Sequence, residues 1–133
     1  LLIIEAIVVK VSIARKEKEE SMANDFLPVI TRTISRKVML NDVLIIDRNN
    51  RTIHVISEKG NFAYYEKMEN VCKYLDERFC RCMKGCVINL DTVDMMTESK
   101  VFFSNGRKLI LARDAFLVAK KAYNEYIRRK QLM

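Results

Sequence analysis

The chain has 133 residues, half of them hydrophobic, and its 24 Lys and Arg outnumber its 17 Asp and Glu to leave a net charge of +7. That length suits one domain with a short appendage and excludes two ordinary domains, and so large an apolar share excludes a wholly disordered chain. The basic surplus favours a phosphate-rich partner, because Lys and Arg displace the counterions condensed on nucleic acid.

Residues 1–14 are apolar on nearly every side, broken only by Glu5, Lys10 and Ser12, and residues 15–20 turn abruptly into the charged run Arg15-Lys16-Glu17-Lys18-Glu19-Glu20. The simplest reading is one helix of about five turns over residues 1–20, although the Ile and Val content also suits a strand. The apolar run falls short of the roughly 18 residues that a membrane span needs, so no membrane partner is expected. Its greasy half needs a cover, either a second copy of the chain or a preceding domain. Residues 1–23 therefore read as a dimerisation segment or the remnant of a preceding domain, and residues 24–133 as the domain proper. The chain opens on Leu1, which reads as a fragment of something longer.

Asn24-Asp25 and Pro28 mark a break, after which short β-type runs dominate. Strands are expected over 29–34, 37–40, 43–47 and 52–57, with the polar turn Arg48-Asn49-Asn50-Arg51 between the last two. Lys59-Gly60-Asn61 is a second turn, leading into a strand over 62–66. Met68, Val71, Cys72 and Leu75 are spaced to form one apolar stripe on a helix over 67–76. Phe79 then plugs the core, and strands follow over 86–89 and 93–97. The clearest hairpin pairs 101–104 with 108–112 across Asn105-Gly106-Arg107, since Asn-Gly readily takes positive φ. Asp114 suits the N-cap of a closing helix that buries Phe116, Ala119, Tyr123 and Ile127. Arg128, Arg129 and Lys130 fall in its last turn, where they complement the helix dipole.

Little here suggests catalysis. His54 is the single histidine, placed in a strand without a triad-like spacing, and three glycines form no phosphate-cradling cluster. The acidic residues are dispersed and form no calcium or magnesium motif. Cys72, Cys80, Cys82 and Cys86 lack the paired spacing of zinc knuckles and read as buried apolar residues; a zinc site or a redox switch is the minor alternative. With no signal peptide and no disulfide framework, a cytoplasmic location is expected. No enzyme, metal or cofactor is expected. Recognition has better candidates. Arg48 and Arg51 flank the two-Asn turn that includes Asn50, Arg81 and Lys84 straddle a short loop, and Arg113 stands where the last strand meets the closing helix. Arg can fork onto guanine, Asn can pair with adenine, and both Arg and Lys can pin phosphates. Solvated loop charges remain the plainer alternative.

The block Phe79-Cys80-Arg81-Cys82-Met83-Lys84-Gly85-Cys86-Val87-Ile88-Asn89-Leu90 resembles the signature of the LytTR family of bacterial DNA-binding domains. Val43-Leu44-Ile45-Ile46-Asp47 is similar to the family's hydrophobic strand with its closing acid, and the hairpin up to Arg113 is similar to its terminal hairpin. The likeness runs over residues 32–129. It implies a mainly β fold of small antiparallel sheets with short helices, here with an N-terminal and a C-terminal helix added. It also implies double-stranded DNA, as paired promoter repeats, held by loops in successive major grooves and bent. Matched by position, Met83, Lys84 and Arg113 are the implied contacts, with Asn50-Arg51 a third region, while Phe79 and Asn89 fall on structural positions. Met83 stands where the family usually has a polar residue and Gly85 where it usually has Ser, so base reading there is expected to be relaxed. The expected function is sequence-specific DNA binding in a bacterial transcription regulator, as a response-regulator output domain and a homodimer through residues 1–20. The alternative is a protein–protein interaction module working through the apolar N-terminal segment.

Overall fold

The computed structural model describes residues 25–131. Residues 1–24, and with them the expected N-terminal helix and its dimerising role, lie outside the described residues.

Among the described residues ten strands build three antiparallel sheets. β1 (Phe26–Ile30) and β2 (Ser35–Met39) form a hairpin; β3 (Val43–Asn49), β4 (Thr52–Ser57), β5 (Gly60–Tyr65), β6 (Phe79–Met83) and β7 (Cys86–Asn89) form a five-stranded sheet in the order β5-β4-β3-β7-β6; and β8 (Val93–Thr97), β9 (Lys100–Phe103) and β10 (Lys108–Ile110) form a meander. Helix α1 (Met68–Cys72) links β5 to β6, and α2 (Arg113–Gln131) closes the chain.

The five-stranded sheet is covered on both faces, which explains its near-continuous apolar runs. Along β7, Val87 points into one cluster and Cys86 and Ile88 into the other. The first cluster unites Leu27, Val29 and Val38 of the hairpin with Ile46, Ile53 and Val55 of the sheet and Met68 and Val71 of α1. The second unites Ile45 and Ile88 with Val101 and Phe103 of the meander and Phe116 and Ala119 of α2. A register shift between Val43 and Ile45 lets Leu44 and Ile45 both face the second cluster. Asn89 is 0 % exposed, and its side chain is fully used: the amide donates to the Leu40 and Val43 carbonyls at 3.2 and 2.8 Å, and its oxygen accepts from the Asp91 N–H at 3.0 Å. It ties the ends of β3 and β7 together where the chain turns towards the meander.

Several expectations need correction. Pro28 lies inside β1, not at a break; β1 pairs only with β2, so one side of the strand needs no donor. The helix expected over 67–76 is regular only across 68–72. Beyond it, Tyr74 and Leu75 donate to Val71 and Cys72, three residues back, so the tail tightens into turns that still bring Leu75 against the core. Residues 79–83 form an edge strand rather than a loop, with Cys80 and Cys82 inward and Arg81 and Met83 outward. β8 and β9 make a hairpin of their own across Glu98-Ser99, both at positive φ. In the Asn105-Gly106 turn only Gly106 has positive φ. Helix α2 begins at Arg113, which leaves Asp114 in its first turn and not at the N-cap. It buries Ala115, Phe116, Ala119 and Tyr126, whereas Ile127 is exposed.

Candidate nucleic-acid interface

Two turns meet at one end of the five-stranded sheet. The β3–β4 turn consists of Asn50 and Arg51, with Asn50 at φ 58, a left-handed conformation that Asn tolerates better than most residues. The β6–β7 turn consists of Lys84 and Gly85. The Arg48 N–H donates to the Gly85 carbonyl at 2.8 Å and stitches the two turns together.

A groove of about 780 Å³ runs across the five-stranded sheet beside β10, from the β6–β7 turn to Ile56 and Asn61 near the β4–β5 turn. Met83 and Gly85, on either side of Lys84, line it together with Arg48 and Leu109–Leu111, the last of which lies two residues before Arg113. Arg48 also lines a neighbouring groove with Asn50, Arg51, Tyr65, Lys67 and Glu69. The structure thus draws Arg48, Asn50, Arg51 and Met83 to adjoining grooves, whereas Lys84 and Arg113 line neither of them. The salt bridges among the described residues, Lys59–Asp42, Arg78–Asp76 and Arg81–Glu69, leave Lys84, Arg48, Arg51 and Arg113 outside them. Those cations are available to a polyanion.

Arg81 is differently placed. Its Nε and Nη2 donate to the Lys84 carbonyl at 3.0 and 2.6 Å, and Nη2 reaches Glu69 Oε2 at 3.2 Å. The carboxyl of Glu69 is held below the usual range by a backbone hydrogen bond and by Arg81. Met83 is 44 % exposed and offers a thioether rather than a donor.

Sequence reading missed Tyr65, which is 82 % exposed beside Asn50 and Arg51. The available signal was its place at the end of β5, level with Thr52 just after the basic turn. It also missed that Asp47 stands directly opposite His54 across β3 and β4. No hydrogen bond joins that pair to a nucleophile among the described residues.

The thiols are free; Cys80, Cys82 and Cys86 are buried, and Cys72 is half-buried. Burial pushes Cys80 up to about 11. Cys82 Sγ donates to the Cys86 carbonyl at 3.7 Å, and the contact with the Cys82 thiol, together with burial, pushes Cys86 up. Among the described residues no group of three or more His, Cys, Asp or Glu could hold a metal ion, and no helix is long and apolar enough to cross a membrane.

The family model of the LytTr DNA-binding domain matches residues 35–124, more than half of the chain. The chain belongs to the LytTR family of DNA-binding domains. As a LytTR domain it is built to bind DNA. A solved LytTr DNA-binding domain of a Bacillus cereus protein, named as a methyl-accepting/DNA response regulator, is similar in fold: TM-score 0.52 at 15 % identity, covering 79 % of this chain and 94 % of that one. No curated protein matches the chain.

Proposed function

We propose that this LytTR domain binds DNA sequence-specifically in a bacterial transcription regulator, reading successive major grooves with turns and not with a helix. The observation that carries this reading is that Arg48 and Arg51, outside the internal salt bridges, line adjoining grooves with Asn50, Met83 and Gly85, next to Lys84 in the β6–β7 turn. Lys84 and Arg113 are the leading base or phosphate contacts, Met83 offers an apolar contact suited to a thymine methyl, and Asn50, Arg51 and Arg48 hold the neighbouring stretch. Tyr65 adds an exposed ring for the sugar–phosphate backbone. Helix α2 is a poor reading helix: one side is buried in the core and its basic cluster lies at its C-terminal end. A place as the output domain of a response regulator, acting in the cytoplasm on paired promoter repeats as a dimer through residues 1–20, completes the proposal. Selection of bound duplexes from a randomised library tests it. A recovered site with repeated half-sites, bound more weakly as salt rises, is expected; recovery of unrelated sequences at equal affinity would contradict sequence-specific reading.

One observation favours a second reading, a protein–protein interaction module. Phe26, Ile30, Ile34 and Met39 are exposed on the β1–β2 hairpin, which follows the N-terminal segment in the sequence. Size-exclusion chromatography of the chain with residues 1–20 deleted discriminates: a change of oligomeric state assigns that segment to the interface, and an unchanged state removes it.

A further inference from the structure

Two-residue hairpins normally rely on left-handed turn residues, whose geometry matches the twist of the strands. The β6–β7 turn has none, because neither Lys84 nor Gly85 has positive φ, and the pairing is irregular between Arg81 and Met83. This turn is closed from outside instead. On one side the Arg48 N–H holds the Gly85 carbonyl at 2.8 Å. On the other, Arg81 places two donors on the Lys84 carbonyl and a further contact on Glu69 of α1.

We infer that Arg81 is a positioning residue whose guanidinium fixes the Lys84 backbone, so that Met83 and Lys84 are presented to the duplex while Arg81 itself acts through them. The inference rests on the reading that this turn meets DNA. Arg suits the task because its planar fork supplies two donors to one carbonyl and still reaches a carboxylate, which a single ammonium does not reproduce. Its contact with Glu69 has a second effect. Glu69 lines the groove shared by Arg48, Asn50 and Arg51, and pairing with Arg81 offsets part of the negative charge that it brings there.

A double-mutant cycle on the full chain, using the tightest duplex recovered from the randomised library, tests the assignment. R81Q is expected to weaken binding about tenfold, a mid-range coupling for residues in one hydrogen-bonded network, and to add little once K84A is present. R81K is expected to rescue only part of the loss. In DNA-free R81Q protein, backbone order parameters at Lys84 and Gly85 should fall below about 0.6 while those of the sheet stay high. A K84A defect with full, additive loss from R81Q would make Arg81 a direct contact and overturn the inference. So would a K84A defect with R81Q binding as the wild type does. If K84A itself binds normally, the DNA reading of this turn fails and the inference falls with it. Unchanged order parameters at Lys84 and Gly85 overturn the clamp independently of any DNA measurement.

Discussion

The partial positive charge at a helix N-terminus disfavours a cation, yet Arg113 is the first residue of α2 and no salt bridge with a described residue offsets it. A side chain kept against the helix dipole is better explained by a ligand than by stability. Replacing Arg113 by Ala should therefore cost roughly 1–3 kcal/mol of DNA binding and relax base preference at one position. Folding stability should hold or rise by a few tenths of a kcal/mol in the same variant, as urea titration would show. Wild-type affinity in R113A would remove this residue from the interface. At this scale the sequence was informative wherever one residue type has one main use. Asn89 could be read as a satisfier of backbone groups, and its bonds to Leu40, Val43 and Asp91 are of that kind. Arg81 could not be read, because a guanidinium ahead of a turn looks the same whether it faces solvent or folds back on a carbonyl. Tyr65 escaped because an alternating strand does not tell which aromatic remains outside.

Elements were legible where apolar alternation met a clear turn signal, as in β3, β4 and the meander's second hairpin, and obscure where the turn residues were atypical. The β8–β9 hairpin turns on Glu98 at φ 53 and Ser99 at φ 65, neither of which favours the left-handed region. Changing this pair to Asn-Gly should stabilise the domain by about 1 kcal/mol, seen as a higher urea midpoint with an unchanged slope. A lower midpoint would show that the Glu98 or Ser99 side chain contributes more than the turn geometry costs. Strand β6 was missed for a related reason: Cys, Arg and Met carry weak β preference, and only the neighbouring β7 makes their alternation a strand. Helix α1 was overextended because its apolar stripe continues to Leu75, and periodicity alone does not reveal that the last turn is tightened.

Across the whole molecule, two apolar clusters on opposite faces of one sheet hold the turns in place, and burial there also ties stability to alkaline pH. Burial, with the charge of Glu66 nearby, pushes the Tyr64 hydroxyl up to about 12. The unfolded chain releases that proton near pH 10, so stability present below about pH 10 is lost as pH climbs towards 12. Y64F should remove this contribution: its urea midpoint should fall less than that of the wild type between about pH 9 and about pH 11, by an amount equivalent to at most about 3 kcal/mol. Parallel falls in the two proteins would show that Tyr64 ionises as freely folded as unfolded. The two-sided cover of the sheet was not legible in the sequence. A run such as Val43-Leu44-Ile45-Ile46 indicates burial on both faces without naming the elements that supply it.

The central claim is that turns at one end of the five-stranded sheet, and not the body of α2, meet the duplex. Mapping amide chemical-shift changes as a selected duplex is titrated into the full chain addresses it most directly. The account predicts the largest changes at Asn50, Arg51, Lys84, Gly85 and Arg113. Changes concentrated along the exposed side of α2 from Leu117 to Arg128, with those turns unmoved, would contradict it.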